Sequence, residues 1–247
     1  MPYRLIPSLL LSLTLTLRCK PKESIPQIRP ADAVILCFHD VGRTGRYAIG
    51  RAVFAAILDD LKPFRVVSVS EWIANVHATD ERPQVVLTFD DGYSSHREIV
   101  LPELLKRGYG ATFFFYNEQL LHDKKWSRLL KTLPANFDLG SHSWSHSSLS
   151  AATDHQLFRE LFLAREHLAG ITGKPAESFA WPYGAWTDTT ARAARAAGFK
   201  YLFSVDYRIA RGADLNAVIP RYTVMGSRSR EQVRSILGQF AKAAPVR

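Results

Sequence analysis

The chain has 247 residues, 47% of them hydrophobic and 22% charged, a balance that excludes a disordered or fibrous protein and leaves room for a full core in one α/β domain. Its formal charge of +9 is spread over the termini and the presumed helix faces. With no long basic run, Arg-rich helix or RNA-binding aromatic signature, that charge describes a solvated surface or an affinity for anionic envelope polymers, and nucleic-acid binding is set aside.

In chain order, the N-terminus reads as an export signal. Arg4 is followed by an apolar stretch from Leu5 to Leu17, too short to span a bilayer, and then by Cys19. A cysteine there suggests a lipoprotein signal, although Arg18 stands where a small residue is usual. Residues 1–19 are therefore expected to be a signal peptide, and the proline-rich, charged residues 20–31 a tether. Residues 32–247 are expected to form one folded domain, with no internal repeat or second domain evident in the sequence. The expected location is exported: the cell envelope or periplasm, with membrane contact only through a lipid at Cys19, or secreted. The only other cysteine, Cys37, sits in an apolar run and reads as a core residue, so no disulfide framework arises.

From residue 32 onward, apolar β-type runs alternate with helical patterns. Strands are expected at 33–38, 65–69, 84–89, 111–116, 136–140, 178–181, 200–204 and 218–224, and helices at 52–61, 70–77, 95–107, 124–132, 153–169, 188–197 and 230–241. Runs such as Val85-Val86-Leu87-Thr88-Phe89 have no polar face, which favours strands covered on both sides in a parallel sheet. The alternation points to a (β/α) barrel or a doubly wound sheet, folds whose reactive residues gather at the C-terminal ends of strands.

Two segments stand at such ends. Asp90-Asp91-Gly92 closes one strand run, and His142-Ser143-Trp144-Ser145-His146 follows another. Either alone could be a polar turn. Together they offer two imidazoles and a carboxylate, a set that holds a divalent ion with a position open for water, and leave a second carboxylate free to take a proton. A third segment, Trp181-Pro182-Tyr183-Gly184, suggests an aromatic groove wall for a sugar ring, with a backbone N–H near Tyr183 aimed at an oxyanion. His77, His96, His122, His155 and His167 lie in or beside helical patterns and are expected at the surface.

These three segments, in this order, resemble the polysaccharide deacetylases of carbohydrate esterase family 4, with their NodB-homology domain, over roughly residues 32–225. The resemblance implies a single-domain distorted (β/α) barrel, with 32–247 as the catalytic domain. It implies Asp90 as general base and Asp91, His142 and His146 as ligands of one divalent metal, zinc first, with cobalt, nickel or manganese as alternatives. Its implied substrate is an N-acetylglucosamine-containing polysaccharide such as peptidoglycan, poly-N-acetylglucosamine or chitin, handled by a monomer. Two positions depart from the family pattern: Ala180 stands where many relatives carry an arginine that orients the base, and no histidine follows His167 to serve as the C-terminal acid.

His39, ending the first strand run, is the replacement acid. This arrangement is similar to the poly-N-acetylglucosamine deacetylase branch, where alanine before Trp-Pro-Tyr-Gly is also familiar. Arg221, in Pro220-Arg221-Tyr222, is the candidate for the missing positive charge beside Asp90. Two other readings remain open: an O-acetyl carbohydrate esterase using the same site, and a carbohydrate-binding envelope protein without activity.

Overall fold

The computed structural model describes residues 32–74, 82–226 and 228–243. The expected signal, the tether, Cys19 and His77 lie outside the described residues. Each of the longer apolar runs is a strand. In chain order these are β1 (Ala33–Phe38), β2 (Asp40–Val41), β3 (Ala48–Ile49), β4 (Arg65–Val67), β5 (Gln84–Phe89), β6 (Ala111–Phe115), β7 (Phe137–Ser141), β8 (Ser178–Ala180), β9 (Tyr201–Phe203), β10 (Val218–Ile219) and β11 (Tyr222–Thr223). Nine of them form one sheet in the order β10-β9-β8-β7-β6-β5-β1-β11, with β4 beside the first half of β5, and every ladder is parallel.

Helices cover the outside: α1 (Arg51–Asp60), α2 (Val69–Ala74), α3 (Leu101–Arg107), α4 (Asn117–His122), α5 (Lys124–Leu129), α6 (Asp154–Leu157), α7 (Ala164–Thr172), α8 (Asp188–Ala196) and α9 (Ser229–Ala243). Wider π-type turns lead into two of them, at His96–Val100 before α3 and at Phe158–Leu163 between α6 and α7. Among the described residues no helix is long and apolar enough to cross a membrane.

The layers follow from the two-residue period of a strand. Val34, Leu36 and Phe38 of β1 pack outward with Phe54, Leu58, Leu104 and Phe240 of the helices. Ala33 and Ile35, with Val86, Phe114, Ala180, Phe203 and Ile219, pack on the inner side of the curl. Carried past the strand ends, the inner series of β1, β5 and β7 arrives at His39, Asp90 and His142. Gly140 belongs to that series because a Cβ there would collide with the Phe114 ring.

Two features curl the sheet. β10 and β11 lie at opposite ends of the strand order yet are separated along the chain only by Pro220 and Arg221, so the two edges must approach each other. Ala33 and Ala210 exchange backbone bonds of 2.9 and 3.0 Å, tying β1 to the segment after β9. The expected strand 218–224 is accordingly two short strands: Pro220 has no N–H for a ladder, and the chain crosses from one edge to the other there. The expected helix 124–132 is shorter, and α4 before it was not foreseen.

Candidate active site

Asp91, His142 and His146 meet at the C-terminal rim. One ligating atom of each lies within 4.8 Å of the others, with Asp91 Oδ1 at 3.3 Å from His142 Nε2 and 3.1 Å from His146 Nε2. Backbone bonds one step beyond the strands place them: Asp90 N–H donates to Phe38 O at 2.9 Å, and His142 N–H to Phe115 O at 2.7 Å. His142 Nδ1 is 2.8 Å from the Ala180 carbonyl, which can only accept, so its proton sits on Nδ1 and its Nε2 lone pair faces Asp91. Asp91 Oδ1 is buried with no hydrogen-bond donor. A buried carboxylate oxygen facing two imidazole nitrogens is an electron-rich hollow, and the three groups together could hold a metal ion. Burial works to raise the Asp91 pKa, but where imidazole protons take the place of a cation they outweigh it and hold the carboxyl well below the usual range.

Beside this group, Asp90 is fully enclosed. Arg221 grips it bidentately, Nη1 to Oδ1 at 2.8 Å and Nη2 to Oδ2 at 2.7 Å. The guanidinium also donates to Ser204 O and Thr88 Oγ1 and lies over the rings of Phe114 and Phe203. Cys37, a core residue as expected, donates its thiol proton to Asp90 Oδ2 at 3.3 Å. Burial works to raise the Asp90 pKa, but the arginine charge prevails and brings it to about 2. The charge that Ala180 cannot supply thus arrives from Arg221, at the junction of the sheet edges. His39 stands with Cys37 and Asp90 in a second cluster whose polar atoms lie within 4.8 Å of one another. Burial lowers the His39 pKa, partly offset by Asp90 and Asp91.

The site is held under strain. Among the described residues, the four non-glycine positions with positive φ are Asp91 (73°), Ser143 (79°), His146 (61°) and Tyr183 (60°), and all four are here. Glu160, which the sequence reading passed over, secures the loop between the two histidines. Its buried Oε2 accepts the N–H groups of Trp144 (3.0 Å) and Ser145 (2.9 Å), and its Oε1 accepts the Ser145 hydroxyl (2.8 Å) and Arg159 (2.7 Å). Ser143 Oγ accepts from His146 N–H at 2.9 Å. Glu160 lies in the π-type turn between α6 and α7, a distortion that often marks functional sites. A signal for it existed: Glu160 shares one helical face with Leu157, Leu161, Ala164 and Leu168, an apolar stripe on which a carboxylate needs a partner.

Three expectations are corrected. Trp181 and the ring of Pro182 are buried, so neither walls a groove: Trp181 follows inward-facing Ala180 and therefore turns outward, against Phe179. Tyr183 alone of that segment is open, 69% exposed, its ring 4.8 Å from that of His146. His96 is not at the surface. It is fully buried, its Nε2 lies 2.7 Å from the His39 carbonyl, and burial lowers its pKa to about 4. His122 and His155 are exposed as expected, and His167 is half-buried against Trp144.

A profile described as polysaccharide deacetylase matches residues 77–202. YxkH of Bacillus subtilis is 22% identical over 178 residues, covering 70% of this chain and 64% of YxkH. The peptidoglycan-N-acetylglucosamine deacetylase PgdA of Listeria monocytogenes is 26% identical over 122 residues, covering 49% of this chain and 26% of PgdA. The chain therefore spans less than two thirds of the length of either curated relative. The Streptococcus pyogenes deacetylase PplD, solved in complex with acetate, has the same fold, with a TM-score of 0.73 and 18% identity over 84% of this chain and 99% of that one. The profile spans half of the chain, including Asp90, Asp91, His142 and His146, and on that ground the chain belongs to the polysaccharide deacetylase family.

Proposed function

We propose that the protein hydrolyses N-acetyl groups on an N-acetylglucosamine-containing polysaccharide, releasing acetate and leaving a free amino sugar. The observation that carries this reading is the convergence of Asp91, His142 and His146 on one point, with the Asp90–Arg221 pair and His39 beside it. Asp91, His142 and His146 would hold one divalent ion, zinc first on the chemistry of two nitrogens and one oxygen. When bound, that ion supplies Lewis acidity, polarising the acetyl carbonyl and easing deprotonation of water.

The remaining work falls to the chain's own groups. Asp90 is ionised throughout the physiological range, and the two-point arginine contact aims its carboxylate to receive a proton from the attacking water. Arg221 trades some basicity of Asp90 for orientation. His39, an imidazole whose proton burial makes easier to release, delivers a proton to the departing nitrogen. An amide needs that step because an amine leaves poorly without it. In the left-handed turn at Tyr183 the Gly184 and Ala185 N–H groups are spent on Trp181 O and Pro182 O, so the Tyr183 N–H is the one assigned to share the developing oxyanion charge. If the apolar stretch from Leu5 to Leu17 is an export signal, the enzyme acts at the cell envelope.

The test is acetate release from peptidoglycan, poly-N-acetylglucosamine and chitin, with and without chelator and with added zinc, cobalt, nickel or manganese. Chelator-sensitive release from any of the three supports the reading. Release only from an O-acetylated polymer would move the activity to ester cleavage, and no release from any metal-loaded sample would overturn it.

A further inference from the structure

Aromatic rings flank the candidate centre on both sides, and the motifs account for one side only. On the side of β6 to β8, the rings of Tyr116 and Tyr183 lie 5.5 and 4.8 Å from that of His146. On the β1–β11 side stand two others outside any motif. Tyr47 has its ring 5.4 Å from that of His39 and is 45% exposed. Tyr207 is 51% exposed.

Both are anchored. The Tyr207 hydroxyl donates to Thr223 O at 2.6 Å and accepts from Gln232 Nε2 at 3.3 Å, and its ring meets Tyr222 edge-on at 5.7 Å. Thr223 is the register partner of Cys37, so Tyr207 is pinned beside the strand that ends in His39. Tyr47 rides on the loop between β2 and β3, which is closed by bonds from Gly42 N–H to Ile49 O at 2.8 Å and from Ala48 N–H to Gly45 O at 3.4 Å, and the Arg46 guanidinium lies 5.3 Å from its ring centroid. A ring fixed before the ligand arrives loses little freedom on binding, so its contact area is converted efficiently into affinity. Nothing inside the fold needs these exposed surfaces.

We propose that Tyr47 and Tyr207 form a sugar-stacking subsite on the His39 side, taking the apolar C–H face of the N-acetylhexosamine ring next to the one being deacetylated. This rests on the deacetylase reading above. With Tyr183 across the centre, the chain of sugars is gripped on both flanks, so the enzyme acts on internal residues and gains efficiency as the substrate lengthens.

The experiment compares the dimer and the hexamer of β-1,4-linked N-acetylglucosamine, using the metal-loaded protein. In the wild type, kcat/KM for the hexamer exceeds that for the dimer. In Y47A/Y207A that preference falls about tenfold, mainly through KM, whereas Y47F and Y207F, which keep the rings, retain most of it. Y47A alone, a surface-loop change, serves if the double variant does not fold, with about a threefold loss expected. A preference that survives ring removal, or a dimer rate depressed as much as the hexamer rate, overturns the subsite. Binding of the hexamer, followed by saturation-transfer NMR, separates the two readings. If no acetate is released from either oligomer, from β-1,6-linked poly-N-acetylglucosamine or from peptidoglycan, the deacetylase reading fails, and the subsite stands or falls on whether ring removal abolishes hexamer binding.

Discussion

The pair at the centre of the curl makes a quantitative prediction. Arg221 and Asp90 are both buried, and the arginine supplies two of the donors that keep the carboxylate ionised. Replacing Arg221 with Met leaves the buried Asp90 carboxylate with only the Cys37 thiol as a side-chain donor. Stranding one member of a buried pair costs about 3–5 kcal/mol, which for a chain of this size lowers the melting temperature by about 6–20 °C. Asp90→Asn alone strands the guanidinium in the same way. The double variant R221M/D90N holds no charge at this pair and should recover to within about 2 kcal/mol of the wild type.

The dependence on pH has a definite sign. In the wild type the folded-state pKa of Asp90 is depressed from 3.8 to about 2, so the pair contributes about 2 kcal/mol above pH 4 that is lost as pH falls toward 2. In R221M the folded-state pKa moves above the unfolded value, so the deficit is largest at neutral pH and shrinks on acidification. Thermal melts of the four proteins at pH 7 and pH 4 check this. Additive single-variant losses, or an R221M melting within 2 °C of the wild type, would refute it.

Three further outcomes follow from the site. Glu160→Ala strands the N–H groups of Trp144 and Ser145 and frees the loop that carries His146; zinc affinity by competition titration should fall about tenfold or more, and the Co2+-loaded absorption should change shape, whereas unchanged affinity would remove Glu160 from this role. His96, fully buried with a pKa near 4 against an ordinary 6.5, cannot take up the proton that the unfolded chain accepts between those values. Stability should therefore drop by about 3 kcal/mol as pH falls from 6.5 to 4, and urea unfolding of His96→Phe should lose that slope; an identical slope in the variant would count against it. His142→Ala should abolish both metal binding and acetate release, while Asp90→Asn should keep the metal and lose turnover; acetate release surviving in Asp90→Asn would reassign the base.

Much of the architecture was legible because the central strands β1, β5 and β6 are nearly uninterrupted apolar runs, and because Asp90-Asp91 and His142 directly follow strands. Composition alone hid the finer placements. Trp181 looked like a groove residue because it is aromatic, yet its neighbour Ala180 faces the interior of the curl, and the two-residue alternation sends Trp181 the other way. His96 looked like a helix-surface residue, although it shares a stripe with Val100 and Leu104, and a histidine on an apolar stripe is buried unless something intervenes. Glu160 was missed for the same reason. Its partners are backbone N–H groups of a loop fifteen residues earlier, and no local pattern records a long-range bond to backbone. Arg221 was legible as a charge in need of a carboxylate, but its route to Asp90 depends on the closing of the sheet, which no segment of sequence displays.

That closure has a consequence for how competence is acquired. The crossing from β10 to β11 is the last step of the sheet, and the side chain at the crossing is the one that orients Asp90. A nascent, clipped or misdocked chain that ends before this junction keeps the histidines and both aspartates but has no arginine to aim the proton acceptor. On the proposed deacetylase reading, hydrolytic power is tied to architectural completion, and a fragment lacking the tail should be inert rather than partly active.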